Sequence, residues 1–287
     1  MATLEMAILT AGAMGVACAV LSVFVVLRRW AFIGEGIAHA GFGGAGTAWL
    51  LALLFPSATF LLHPAGIYAV AVVFCILTAI AIGWVSREER VRADSAIGIF
   101  LVASLAWGFI ASGIYTQART GHPPPEWDGY LMGQLRQLPS QFTIAAVLVC
   151  AAVLSVVIML KKEIVFYCFD PALAEVSGVR VRFIHYLLIV LVTVTIVLGL
   201  RMMGSVLVTA LLVLPGATAL LVSRNMRVVV AVAVGVGLIG AIAGPLINEK
   251  WRFIKEGPAI VMVLVAVFVV TYLWTTLVQR TRRHSSN

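Results

Sequence analysis

Nine runs of roughly twenty apolar residues, separated by short polar breaks, govern what this chain can fold into. An α-helix rises about 1.5 Å per residue, so about 20 apolar residues cross a hydrocarbon core about 30 Å thick. On that ruler the runs fall at about 5–27, 35–55, 65–85, 95–115, 142–160, 183–200, 203–223, 227–247 and 258–279. In lipid every backbone N–H and C=O needs an internal partner, which leaves helices or a closed barrel. Barrel strands alternate apolar and polar residues, and these runs do not. The sequence therefore predicts an all-α, polytopic membrane helical bundle with about nine transmembrane helices. Composition agrees: 62% of the 287 residues are hydrophobic and 11% charged, against about 25% charged in a soluble domain. No soluble domain or low-complexity tract interrupts the pattern, so 1–287 reads as a single transmembrane domain.

The basic residues set the orientation. With the N-terminus outside, the inner loops receive Arg28, Arg29, Arg87, Arg90, Arg92, Lys161, Lys162, Arg180, Arg182, Arg224, Arg227, Arg280, Arg282 and Arg283. The outer loops receive Arg119, Arg136, Arg201, Lys250, Arg252 and Lys255. Fourteen of the twenty lie inside, so the positive-inside rule predicts nine spans, N-out and C-in. The net charge of +8 is spread over these short clusters, which gives no continuous phosphate-binding face and argues against nucleic acid. Cys18, Cys75, Cys150 and Cys168 include no C-x-x-C pair and read as small packing residues. The opening MATLEM lacks the basic start and cleavage site of a signal peptide, so the first run is expected to remain as a span.

Few residues could carry chemistry. Glu35 and His39 stand four apart and share one helix face. Ionisable groups inside a span are costly and usually face a cavity or a partner. A carboxylate with an imidazole suits a borderline divalent cation such as zinc, manganese or iron. The alternative is a headgroup-level Glu35 with His39 simply hydrogen-bonded to it. Gly36, Ala40, Gly43 and Gly44 recur at helical spacing beside the pair and allow close helix approach. Their abundance makes this second segment the one least expected to run as a regular, full-length helix.

Two loops are long. The outer one, about 116–141, carries His122 and three consecutive prolines, which prevent helix. The inner one, about 161–182, contains Asp170-Pro171, a helix start, and Gly178, a helix stop. The segment 169–178 is thus expected to hold a two-turn surface helix, suited either to docking in a partner's groove or to serving as a plain amphipathic loop. Asp94 reads as the N-cap of the fourth span. His63 and His122 read as solvated loop histidines, His185 as a satisfied interfacial histidine, and Met202 and Met203 as packing residues. There is no phosphate loop, no H-E-x-x-H and no G-x-S-x-G in the sequence, so nothing specific points to an enzyme.

In order along the chain, these motifs resemble the permease subunit of bacterial metal-ion ABC importers, the ABC-3 family. Arg28-Arg29 followed by Gly34-Glu35-Gly36-Ile37-Ala38-His39-Ala40 resembles its basic pair and G-D-x-x-x-H-A stretch. Asp94-Ser95-Ala96-Ile97-Gly98 resembles its D-x-A-I-G, and Tyr130-Leu131-Met132-Gly133 its Y-L-x-G. Phe169-Asp170 with Ala174 and Gly178 resembles its F-D-x-x-x-A-x-x-x-G segment. Gly204 to Val208, with Leu214-Pro215-Gly216-Ala217-Thr218-Ala219, resembles its G-x-L-L-V and P-A-A-T-A pair, and Gly257-Pro258 also fits. Three positions depart: Glu35 stands for the usual Asp, Gln134 for a common acidic residue, and Gly216 for alanine.

The resemblance implies a type II-like ABC importer permease in the bacterial inner membrane. Its two copies would form the pathway for a divalent transition-metal ion, zinc favoured over manganese or iron(II), with no permanently bound cofactor. Two cytoplasmic ATP-binding subunits would drive it and an extracytoplasmic metal-binding protein would deliver the ion. Glu35 and His39 map onto the family's metal-facing pair. Asp170, Ala174 and Gly178 map onto its ATPase-coupling helix. The competing expectation is a secondary transporter or channel that works without ATP.

Overall fold

The computed structural model describes residues 4–55, 59–87, 91–119, 140–251 and 256–284. Among the described residues regular structure is entirely helical. The helices are α1 (Leu4–Leu27), α2 (Ile33–Leu54), α3 (Pro64–Arg87), α4 (Ala93–Ala118), α5 (Ser140–Met159), α6 (Lys161–Phe169), α7 (Pro171–Val176), α8 (Val181–Met203), α9 (Ser205–Val222), α10 (Met226–Lys250) and α11 (Glu256–His284). A 3-10 turn, Thr59–Leu62, precedes α3.

The nine long helices fall on the nine expected runs. Eight are long and apolar enough to cross a membrane by themselves. The ninth candidate among the described residues, Thr143–Met159, qualifies only together with Lys161–Phe169, across a 70° bend. The helix α6 is therefore an element that the inner loop was not expected to contain.

Three further expectations need correction. The glycine-rich α2 is a continuous helix of 22 residues. The break between the sixth and seventh spans is not Arg201 to Met203, which continue α8, but Gly204. Its φ of 83° and ψ of 164° lie where only glycine is at ease. Asp94 is not an N-cap: Arg92 holds that position without a side-chain bond, and Asp94 lies in the first turn of α4. A carboxylate there still complements the positive end of the helix dipole. His122, the triple proline, Gln134 and the Tyr130 to Gly133 motif lie outside the described residues.

Within 1–287, chain packing defines two compact units. The first comprises Met1–Ala31, Leu135–Phe169 and Val206–Asn287. Here α1 packs against α10, where a Cβ on Gly237 would fall 2.8 Å from Ala19 Cβ. Ala19, Val23, Ala219, Val229 and Ala233 form the apolar centre of that packing. Thr10 donates to Thr143 at 3.2 Å, and Cys150 lies 3.4 Å from Met14 Sδ, tying α1 to α5. All four cysteines are free and buried, in keeping with a packing role.

The second unit comprises Phe32–Gln134 and Asp170–Ser205. At its centre α2 packs against α3, α4 and α8. The glycines of α2 make this possible. A Cβ on Gly44 would sit 2.6 Å from Ala71 Cα in α3, and one on Gly43 would sit 2.7 Å from Ser104 O in α4. In lipid, where apolar burial drives little, backbone proximity of this kind is what holds helices together. Phe42, Ala45, Ala48, Trp49, Ile67 and Tyr115 form the apolar cluster toward the C-terminal half of α2.

Candidate functional site

Glu35 occupies the first turn of α2, where a carboxylate meets the partial positive charge of the free backbone N–H groups. One turn on, His39 Nε2 lies 3.3 Å from Glu35 Oε1. The i,i+4 geometry places both on one face. The rest of that stretch of α2 is buried: Gly34, Gly36, Ile37, Ala38, Ala40, Gly41 and Phe42 all lie within the fold. Glu35 and His39 are the exceptions, with side chains 35% and 21% exposed. A polar pair thus opens outward from a helix whose other faces are filled.

The opposite faces fix the pair in place. A Cβ on Gly36 would meet Ile97 Cγ2 of α4 at 2.8 Å. Cys75 of α3 donates its thiol to Ile37 O at 3.5 Å, in the turn between the two polar residues. A Cβ on Gly41 would meet Leu200 Cδ1 of α8 at 3.3 Å. Three helices therefore hold the turn that carries Glu35 and His39.

Two ligand side chains do not complete a metal site by themselves. Among the described residues no group of three or more His, Cys, Asp or Glu is placed to hold an ion. What the pair offers is one imidazole nitrogen and one carboxylate, donor types that suit a borderline divalent cation.

The second candidate region is α7. Asp170 is its N-cap, and its carboxylate accepts from Leu173 N at 2.9 Å. Pro171 follows at the first helical position, where its missing N–H costs nothing. The helix stops as Gly178 turns left-handed with φ of +86°, and Val179 N donates to Ala174 O at 3.0 Å. Asp170 and Gly178 thus shape the element. Ala174 is fully buried, whereas Leu173 is 54% and Val176 87% exposed. The outward apolar face is Leu173 with Val176, two residues the motif did not single out. Their signal in the sequence is the spacing of three on a helix that has an alanine on its inner side.

The remaining candidates have structural posts. His63 is exposed, and its Nδ1 accepts from Ala65 N at 3.3 Å as α3 begins. His185 is buried, with Nε2 3.3 Å from Gly83 O. Met202 and Met203 are buried at the end of α8.

The profile of the ABC 3 transport family matches residues 1–275. The chain is 31% identical over 272 residues to the manganese transport system membrane protein MntC of Halalkalibacterium halodurans, covering 95% of this chain and 87% of that one. It is 30% identical over 272 residues to the chelated iron transport system membrane protein YfeD of Yersinia pestis, covering 94% and 85%. Among solved structures it resembles PsaBC from Streptococcus pneumoniae in complex with Fab. The TM-score there is 0.74 at 26% identity, over 93% of this chain and 90% of that one.

Proposed function

Because this chain belongs to the ABC 3 transport family, we propose that it is the permease of an importer for a divalent transition-metal ion, manganese or iron(II) ahead of zinc. The observation that carries the reading is the Glu35–His39 pair, half-open on the otherwise buried first turns of α2. An ionisable pair in such a position is costly without a function. The names of the relatives, manganese transport for one and chelated iron transport for another, support the cargo class and move the preference from zinc.

This reading implies a definite arrangement. Two copies of the chain bring two Glu35–His39 pairs together, and the ion passes between them with water filling open positions. Such a site must hold the ion weakly enough to release it. The chain lies N-out and C-in across the inner membrane. A separate ATP-binding subunit docks on the Leu173–Val176 face of α7, and an extracytoplasmic binding protein delivers the ion from the other side.

The test is uptake into proteoliposomes that contain the permease with its ATP-binding subunit. Manganese, iron(II) and zinc are supplied in turn, with and without ATP. ATP-dependent accumulation is expected, with manganese or iron above zinc. Glu35→Ala and His39→Ala should abolish it while the complex still assembles. Accumulation that ignores ATP would instead favour an ATP-independent transporter or channel, and wild-type uptake in both variants would remove the site.

A further inference from the structure

The ion-facing pair and α7 belong to the same compact unit. Within it they are joined by a short series of packed helices. α7 packs on α8, α8 packs on α3 and α2, and α3 packs on α2. Rigid helices in contact transmit movement only if they do not slide past one another. Sliding is opposed where a side chain on one helix bonds the backbone of the next.

Two such ties join α3 to α8. Tyr68 donates its hydroxyl to Val197 O at 2.9 Å. His185 Nε2 lies 3.3 Å from Gly83 O and donates to it in the tautomer with a proton on Nε2. The two carbonyl-bound positions are at opposite ends of the contact, separated along α8 by about 18 Å of helical rise. Gly83 shapes the second tie, since a Cβ there would stand 2.6 Å from Ile189 Cδ1 and 3.3 Å from His185 Nε2. From α3 the series reaches α2 through Cys75, whose thiol meets Ile37 O between Glu35 and His39. From α8 it reaches α2 through Leu200 at Gly41.

We infer that Tyr68 and His185 are positioning residues that lock α3 to α8, so that a displacement of α7 reaches Glu35 and His39 as one rigid movement. The inference rests on the importer reading, in which α7 takes the push and Glu35 with His39 meets the ion. Neither Tyr68 nor His185 touches the ion. Each acts by preventing the helices between push and ion from slipping.

The readout is the number of manganese ions accumulated per ATP hydrolysed, in proteoliposomes of the permease with its ATP-binding subunit. Tyr68→Phe removes one hydroxyl and His185→Leu removes one N–H donor. Each should leave assembly and ATP hydrolysis intact and lower the ratio by about threefold, the size of a lost interhelical hydrogen bond in a membrane. His185→Gln keeps a donor and should recover most of the ratio. A purely structural role would reduce hydrolysis and uptake together and leave the ratio unchanged. An unchanged ratio in both Tyr68→Phe and His185→Leu would overturn the inference. Wild-type vesicles that accumulate no manganese on ATP would overturn the importer reading, and this one with it.

Discussion

His39 Nε2 stands 3.3 Å from Glu35 Oε1 across one turn of α2. The contact depends on the length of the glutamate. Aspartate, the residue common in the family at this position, is one methylene shorter, so its carboxylate would fall back along α2 and lose the histidine. On the importer reading, the two side chains would then be free to take different positions around an ion. Glu35→Asp is therefore expected to keep ATP-dependent uptake but to change the preference among manganese, iron(II) and zinc. Competition uptake with paired ions checks this, and an unchanged order of preference would show that the pair's geometry does not select.

Gly216 departs from the family's alanine, and the packing around it explains why. A Cβ at this position would lie 2.5 Å from Ser22 O, 2.6 Å from Ser22 C and 2.8 Å from Val23 N. All three are backbone atoms of α1, which cannot rotate aside as a side chain could. Gly216→Ala should force α1 and α9 apart and cost about 1–3 kcal/mol, the usual range for overpacking. Gly235 is the control, because a Cβ there meets nothing within 4 Å. Thermal unfolding in detergent should show Gly216→Ala melting well below wild type and Gly235→Ala at or above it.

Much of this was legible in the sequence, and what was not has physical causes. The spans were readable because the bilayer imposes a fixed length on an apolar helix. α6 was not, because Lys161-Lys162-Glu163 opens it with three charges and the rest is too short to register as a run. Charge usually marks a span's end, so the sequence points to a break at Arg201 to Met203. The helix nevertheless continues through Met203, and the chain turns only where Gly204 permits it. The Glu35–His39 pair could be read from spacing alone. The ties of Tyr68 and His185 could not, since each ends on a backbone carbonyl of another helix, and a carbonyl has no signature in sequence.

The end of α1 is fastened to α6 by a cation over aromatic rings. The Arg28 guanidinium lies 4.4 Å from the centroid of the Tyr167 ring and 5.8 Å from that of Trp30. Tyr167 is nearly fully buried, so little water screens the attraction. A desolvated cation–π contact is worth about 2 kcal/mol. Tyr167→Phe keeps the ring but loses the hydroxyl's hydrogen bond with Arg28, so it should melt modestly below wild type, whereas Tyr167→Leu loses the ring face as well and should melt several degrees lower still. Equal melting temperatures for the two variants would mean that the ring adds only bulk.

The buried and exposed sides of α7 should respond differently to the same charge. Val176 is 87% exposed, and Ala174 is fully buried. Val176→Asp places the charge in water in the free permease and costs it little stability. In the assembled importer it would confront the ATP-binding subunit, so pull-down of that subunit and uptake should both fall by about tenfold or more, as a truncated hot spot gives. Ala174→Asp buries the charge inside the permease, where an unpaired carboxylate is strongly destabilising, so the permease should melt lower even without its partner. Melting of the isolated permease and capture of the ATP-binding subunit, measured on both variants, separate the two effects. Loss of capture by Val176→Asp at unchanged melting would place the docking face on Leu173 and Val176. Full capture by that variant would require the subunit to bind elsewhere.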